Sequence, residues 1–211
     1  MNLKNYNVKD TVEMLIKVAR EYDRKLNDKH FMIVYYHEGH MCIAHVGFRN
    51  INFLHLTGVR TKLSAQRFYE ACLNGKLGID DVDVDRKGKT QLKLNVLRYL
   101  PDLLYNNCMI GNFVNNGFKI QADYFVGDTK AVLSVGFRIG KRIDIPISLY
   151  NESVKVLTRP TCKVYAIFVK NFRDIKYSIC TYLSKGYQIE QLSNEIRALL
   201  DEKVVVGGSL S

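Results

Sequence analysis

The chain has 211 residues, of which 47% are hydrophobic and 25% are charged, and its formal net charge is +10. This composition is typical of a folded globular protein and excludes a disordered chain. No apolar run approaches the roughly 20 residues that cross a bilayer, and no apolar signal segment follows the first residue, so we expect a cytoplasmic protein without a membrane span.

The amino-terminal half contains helices and one hairpin. Apolar residues at helical spacing predict a helix over 8–26, and alternating residues predict strands over 30–37 and 41–48, joined by Glu38-Gly39. Residues 49–60 look irregular. Shorter apolar stripes predict helices over 64–73 and 90–100, with Leu92, Val96, Leu97 and Leu100 as the stripe of the second, and Pro101 can begin another turn.

The carboxy-terminal half is typical of an antiparallel sheet. Alternating residues and turn signals predict strands at 108–114, 118–126, 130–138, 144–149, 154–158, 163–170 and 176–183, with Asn115-Asn116-Gly117 as a hairpin turn. A last helix is predicted over 189–200, and 207–211 form a tail. The fold class is therefore α+β, with N-terminal helices packed on a predominantly antiparallel sheet and a C-terminal helix. We expect an α+β domain over 1–186, followed by a C-terminal helix and tail over 187–211.

The five cysteines indicate reduced thiols. Cys42, Cys72, Cys108, Cys162 and Cys180 are scattered, and no C-x-x-C pair occurs. A zinc site around the hairpin that carries His37, His40, Cys42 and His45 is disfavoured, because strand alternation puts His45 and Cys42 on opposite faces. We predict no metal site and no cofactor.

Positive charge is concentrated in residues 129–176, a segment that contains ten Lys and Arg and only three acidic residues. Such a surface attracts polyanions, since phosphate contacts dominate the affinity for nucleic acids. We predict contacts to a nucleic acid from Arg138, Lys141, Arg142, Arg159, Thr161, Lys163 and Arg173. The alternative is a basic surface that is merely solvated.

His55 is the first candidate for chemistry, because imidazole transfers protons near neutral pH. Thr57 shares its face if the segment is extended, although a half-buried packing histidine is the alternative. Cations or hydroxyls for a phosphate are available at Lys93, at Ser148 and at Lys170. P-loop, dinucleotide-binding, H-E-x-x-H and G-x-S-x-G motifs are absent, and acids are sparse in the strand-rich half, which favours acid–base chemistry without a metal.

The segment 52–59, NFLHLTGV, resembles the fourth phage-associated nuclease family of the barnase–EndoU–colicin–RelE group. The resemblance covers about residues 8–185. It continues through Arg67-Phe68-Tyr69, Lys76-Leu77, Lys93, the stretch 97–100, Asp123-Tyr124, Gly136-Phe137, Pro146-Ile147-Ser148, Arg159-Pro160-Thr161 and the stretch 167–170. It implies helices packed on an antiparallel sheet and activity on RNA in a phage-infected or element-bearing bacterial cell. It also implies that His55 and Thr57 are catalytic, with Lys93, Ser148, Thr161 and Lys170 as the supporting set.

The resulting hypothesis is a metal-independent ribonuclease-type protein that cleaves RNA by attack of the ribose 2′-hydroxyl. His55 is the preferred base, Lys93 and Lys170 stabilise the phosphate, and the general acid is unassigned. One alternative is an anti-CRISPR inhibitor of a guide-RNA effector such as Cas9. Another is an RNA-binding module without catalysis.

Overall fold

A computed structural model describes residues 3–85, 88–114, 121–128 and 132–207 of the chain. The α-helices are α1 (Val8–Lys25), α2 (Asn50–Thr57), α3 (Ala65–Leu73), α4 (Lys89–Leu97), α5 (Val154–Leu157) and α6 (Asn194–Ala198). Short 3₁₀ helices span Ile79–Asp81, Leu100–Tyr105 and Ile189–Gln191. Within the described ranges, no helix is both long and apolar enough to cross a membrane.

The strands form one mixed sheet, in which one pairing is parallel and the others are antiparallel. They are β1 (Lys29–His37), β2 (His40–Phe48), β3 (Cys108–Phe113), β4 (Tyr124–Asp128), β5 (Ser134–Arg138), β6 (Ile145–Tyr150), β7 (Thr158–Asn171), β8 (Tyr177–Leu183) and β9 (Leu200–Val206). The main path runs β2-β1-β7-β3-β4-β5-β6, and β8 and β9 extend from β7. The α+β class and the packing of helices on a sheet are thereby confirmed.

The sheet curls until its two edges meet at Asp144. The backbone N–H of Asp144 donates to His45 O (2.8 Å), and the N–H of Gly47 donates to Asp144 O (3.0 Å). These bonds join the start of β6 to β2. The inner face of the closed sheet is apolar, and Phe48 and Phe137 meet there edge to face with ring centroids 5.9 Å apart.

The helices cover the interior because their apolar faces match it. Asn7 caps helix α1, and its side chain accepts a hydrogen bond from Asp10 N (2.8 Å). The helix buries Leu15, Val18 and Tyr22 in the main core. Helices α2 and α4 pack against β6. This packing positions the candidate site.

Strand β7 belongs to both parts of the sheet. Along one side it pairs with β1, and along the other side it pairs first with β3 and then with β8. Gly111 of β3 lies so close to β7 that a Cβ atom there would sit 2.5 Å from Pro160 O. The absence of a side chain therefore permits this strand contact.

Three predictions of local structure were wrong. The segment predicted to be irregular contains α2, because Phe53 and Leu56 are buried at helical spacing. Residues 154–157 form helix α5 rather than a strand, since Val154 and Leu157, three apart, are the buried pair. In α4 the residue Leu92 is 40% exposed, and Leu94 takes its place in the core.

The carboxy terminus also differs from the prediction. The helix expected over 189–200 is reduced to a 3₁₀ turn and α6, and β9 follows it and pairs in parallel with β8. The turn predicted at Pro101 is confirmed as a 3₁₀ helix. The hairpin turn Asn115-Asn116-Gly117 and the first residues of the strands predicted from 118 and from 130 lie outside the described residues.

Candidate active-site cleft

A cleft of about 370 Å³ opens where the end of α2, helix α4 and strand β6 meet. We call it the Lys93 cleft. It is lined by Gly58, Lys89, Thr90, Leu92, Lys93, Ser148, Leu149, Tyr150, Asn151, Glu152 and Leu157. An apolar wall with a few polar groups is the usual composition of a small-molecule or active site.

Lys89 and Lys93 both line the cleft, and Lys93 is the amine whose pKa is lowered. Its side chain is half-buried, and Nζ donates a hydrogen bond to the backbone carbonyl of His55 (2.9 Å). Burial, with a smaller contribution from the charge of Lys89, lowers the pKa of Lys93 to about 8. An amine in this range exchanges protons near neutral pH far more readily than an ordinary lysine.

The lack of a side chain at Gly58 allows the Lys93 side chain to lie close to the end of α2. Its φ of +72° lies in the left-handed region, as is common for the glycine that ends a helix. A Cβ atom at Gly58 would lie 2.6 Å from Lys93 Cδ, so a larger residue would displace the lysine. Thr90 Oγ1 also donates to Gly58 O (2.8 Å), which fixes α4 against this turn.

Strand β6 brings hydroxyl and carboxylate groups to the opposite wall. Ser148 and Tyr150 are two residues apart on the strand, and Glu152 lies two residues beyond its end. Burial raises the pKa of Tyr150, and a hydrogen bond with the Ser148 side chain opposes this shift. The Glu152 carboxylate accepts a hydrogen bond from Ser153 N (2.9 Å), which leaves acceptor capacity for a ligand.

The predicted catalytic residues fall in different surroundings. Lys93 and Ser148 line the same cleft. His55 is not among its lining residues: its backbone carbonyl accepts the hydrogen bond from Lys93 Nζ, and its side chain is exposed. Thr57 is fully buried, and its hydroxyl donates to Leu54 O (2.8 Å) and accepts from Val59 N (3.3 Å). The expectation that Thr57 shares an extended face with His55 was wrong, because the segment is helical.

Lys170 lies in a second cluster on β7. Its Nζ donates to Ile175 O (2.7 Å) and lies 4.8 Å from the ring centroid of Tyr177, whose hydroxyl is 2.9 Å from His45 Nδ1. Cross-strand pairing also places His30 opposite Lys170, and burial together with the charge of Lys170 lowers the pKa of His30 to about 4. Lys170 is not among the residues that line the Lys93 cleft.

The six basic residues predicted to contact nucleic acid are all exposed. Arg138, Lys141 and Arg142 lie at the end of β5 and in the turn before β6, Arg159 and Lys163 lie on the first half of β7, and Arg173 lies in the turn after it. Thr161 is half-buried, and its hydroxyl is 2.9 Å from that of Thr158. Its hydroxyl is thus engaged within the protein.

Sequence reasoning missed Lys89, Tyr150 and Glu152. Ser148 lies in the strand predicted over 144–149, and extending that strand by one residue would have placed Ser148 and Tyr150 on one face. Nothing local in the sequence connects that face with α4. The connection depends on how the sheet curls.

Comparison with known proteins gives one match. No curated protein sequence and no solved structure matches the chain significantly. The model of one family, described as phage-Barnase-EndoU-ColicinE5/D-RelE like nuclease4, matches residues 14–186, which is most of the chain. The match includes α2, α4 and β6, the elements that form the Lys93 cleft. The resemblance seen in the sequence is therefore confirmed, and the chain belongs to this family of phage barnase–EndoU–colicin–RelE-like nucleases.

Proposed function

We propose that this protein is a ribonuclease-type enzyme of a phage or mobile element that cleaves RNA in the Lys93 cleft. The observation that carries the proposal is the Lys93 amine, whose pKa is lowered to about 8 and which shares the cleft with Ser148, Tyr150 and Glu152. Family membership makes a nucleic acid the expected substrate. RNA is favoured because its 2′-hydroxyl supplies a nucleophile that such a site can activate.

The proposed reaction needs one base and one acid. The His55 imidazole accepts the proton of the ribose 2′-hydroxyl, and O2′ attacks the adjacent phosphorus. As the bond from phosphorus to O5′ breaks, the Lys93 ammonium donates a proton to O5′. The products are a 2′,3′-cyclic phosphate and a free 5′-hydroxyl. His55 then releases a proton to solvent and Lys93 takes one up, which restores both groups.

Lys93 also stabilises the negative charge that develops on the phosphate. A cation in a partly dry cleft stabilises such a charge more strongly than one in water, and it is already held in position by the His55 carbonyl and by Gly58. Ser148 and Tyr150 supply hydroxyl donors to the non-bridging oxygens. We propose that Lys170, in its separate cluster with Tyr177, contacts a more distant phosphate of the strand instead of the scissile one.

The proposed reaction proceeds without a metal. Among the described residues that line the cleft, Glu152 is the single carboxylate, whereas a two-metal nuclease site needs several. In the part of the chain that the structure describes, no group of three or more His, Cys, Asp or Glu side chains is arranged to hold a metal ion.

The test uses the purified chain, end-labelled RNA and the same RNA with a 2′-deoxy residue at each cleavage position, with and without EDTA. We expect cleavage that resists EDTA, a cyclic phosphate product and no cleavage at deoxy positions. His55→Ala and Lys93→Ala should each reduce cleavage roughly 100- to 10,000-fold. RNA binding by these variants should change little, and Lys62→Ala, at an exposed lysine, serves as the control.

Several outcomes would contradict the proposal. Cleavage abolished by EDTA would indicate metal chemistry, and loss of binding in step with loss of cleavage would make His55 and Lys93 structural. If Glu152→Gln abolished cleavage and His55→Ala did not, the base would be Glu152. Binding without cleavage would support an RNA-binding module, and cleavage confined to a guide-bound effector would support an inhibitor.

A further inference from the structure

The curled sheet has an open end with a cavity that the proposed reaction does not use. The cavity measures about 330 Å³, and strands β1, β2, β3, β4 and β7 all reach it at the same end. We call it the open-end cavity. It is lined by Tyr35, His37, Cys42, Ile43, Ala44, His45, Ile110, Gly111, Asn112, Tyr124, Ile139, Gly140, Lys141, Arg142, Asp144 and Cys162.

The rim of the cavity is cationic. Lys141 and Arg142 are exposed in the turn between β5 and β6, and neither makes an ion pair with any described residue. Asp144 is the acidic residue at the same rim, but its carboxylate is already occupied. One oxygen accepts from Tyr124 Oη (2.7 Å), and the other accepts from Gly140 N (3.0 Å). The cations are therefore available to an anion from outside.

The interior of the cavity combines aromatic rings with polar groups. Burial raises the pKa of both Tyr35 and Tyr124, so both phenols stay protonated near neutral pH. His37 Nε2 is buried and has no hydrogen-bond partner among the described residues, and the Asn112 side chain adds an amide. The amide of Asn112 can donate and accept hydrogen bonds to the polar edge of a ligand.

We propose that the open-end cavity binds one nucleotide, with the base against the partly exposed Tyr35 and the phosphate on Lys141 and Arg142. The cavity is at the small end of the range for ligand sites, which fits a single nucleotide. Aromatic rings accept the face of a base, and amide and imidazole groups read its edge. Cations at the rim then meet the charge of the phosphate.

The position of the cavity relates it to the proposed function. The rim residue Asp144 and the cleft residue Ser148 are four residues apart along the start of β6, a distance of about 13 Å at the usual strand rise. One RNA strand can therefore reach both sites. The inference rests on the proposed function only for the RNA strand, because binding of a free nucleotide needs no cleavage.

The experiment measures binding of nucleoside 5′-monophosphates, ribose 5-phosphate and inorganic phosphate to the full chain by calorimetry and by NMR. We expect at least one nucleotide to bind more tightly than ribose 5-phosphate and phosphate, with shifts at Tyr35 and His37. The double variant Lys141→Ala and Arg142→Ala should weaken this binding about tenfold to a hundredfold. The double variant Lys9→Ala and Lys17→Ala removes the same charge from the exposed face of α1 and should not.

A second arm distinguishes free nucleotide from an RNA strand and separates this inference from the proposed function. An oligonucleotide that carries the preferred base should bind the Lys93→Ala chain and compete with the free nucleotide. If it does not compete, the source is the free nucleotide. Absence of nucleotide binding, or equal weakening by both double variants, would overturn the inference even if RNA were cleaved. Nucleotide binding without RNA cleavage would sustain it and reject the proposed function.

Discussion

Replacement of Lys93 with methionine separates the chemical role of the amine from its effect on stability. Burial lowers the pKa of Lys93 from 10.5 to about 8. At about 1.36 kcal/mol per pKa unit, the folded protein holds the charged amine at a cost of about 3 kcal/mol. Methionine keeps a similar unbranched chain but loses the hydrogen bond to His55 O, a loss of about 1 kcal/mol. We therefore expect Lys93→Met to raise the free energy of unfolding by about 2 kcal/mol at neutral pH while cleavage is lost.

The pH dependence gives the sign of this effect a second check. The unfolded chain keeps the Lys93 proton up to a pKa of 10.5, whereas the folded chain releases it at about 8. The wild-type protein therefore gains stability as the pH rises between these values. The advantage of Lys93→Met should be full below pH 8 and should shrink above it.

Urea denaturation of both proteins at neutral pH and at about pH 9.5 measures these differences. Lys62→Met, at an exposed lysine, is the control and should change stability by less than about 0.5 kcal/mol. A variant that is less stable than the wild type at neutral pH would refute the reasoning. Lys93 would then serve mainly to hold the end of α2, and its buried charge would have no measurable cost.

Three further predictions concern the same cleft. The cleavage rate should fall as the pH rises through about 8, where Lys93 loses its proton. Lys89→Ala removes a charge that lowers the pKa of Lys93, so the variant's rate should begin to fall at a higher pH. An unchanged pH–rate profile in this variant would contradict the role of Lys89. Gly58→Ala should reduce cleavage roughly tenfold to a hundredfold, because the added methyl group displaces Lys93. Gly75→Ala, at a similar φ of +67°, is the control: it should lower stability by a similar amount and leave cleavage unchanged. Equal cleavage rates in the two variants would contradict a role for the close approach of Gly58 and Lys93. Thr57→Val removes the hydrogen bond to Leu54 O and should lower the free energy of unfolding, measured in urea, by about 1 kcal/mol. The cleavage rate per folded molecule should stay the same. A lower rate at unchanged stability would indicate that Thr57 takes part in catalysis.

Most of the fold was predictable because the chain obeys the two simple periods of secondary structure. Helix α1 repeats its apolar residues at helical spacing over five turns, and the strands β1 and β2 alternate around Glu38-Gly39. Helix α2 was not predicted because it has only eight residues and no Ser, Thr, Asp or Asn at its N-cap. Its buried apolar residues are only Phe53 and Leu56. In such a short element, packing determines the conformation more than local preference does.

The candidate site was predictable only in part. Lys93 and Ser148 were identified singly, and their proximity depends on the curl of the sheet, which brings β6 against α4. Lys170 was grouped with them by charge, yet it lies at the far end of the longest strand with Tyr177. The composition shows that many basic residues are present. Which of these side chains lie close together in the folded protein depends on the register of the strands.

The closure of the sheet at Asp144 has a consequence for motion. Two backbone hydrogen bonds join β2 to the start of β6, whereas β1 and β2 are paired along their whole length. This short closure lies beside the turn that carries Lys141 and Arg142. We expect these two bonds to open more readily than the β1–β2 ladder, so that the amides of Gly47 and Asp144 exchange hydrogen faster than the paired amides of β1.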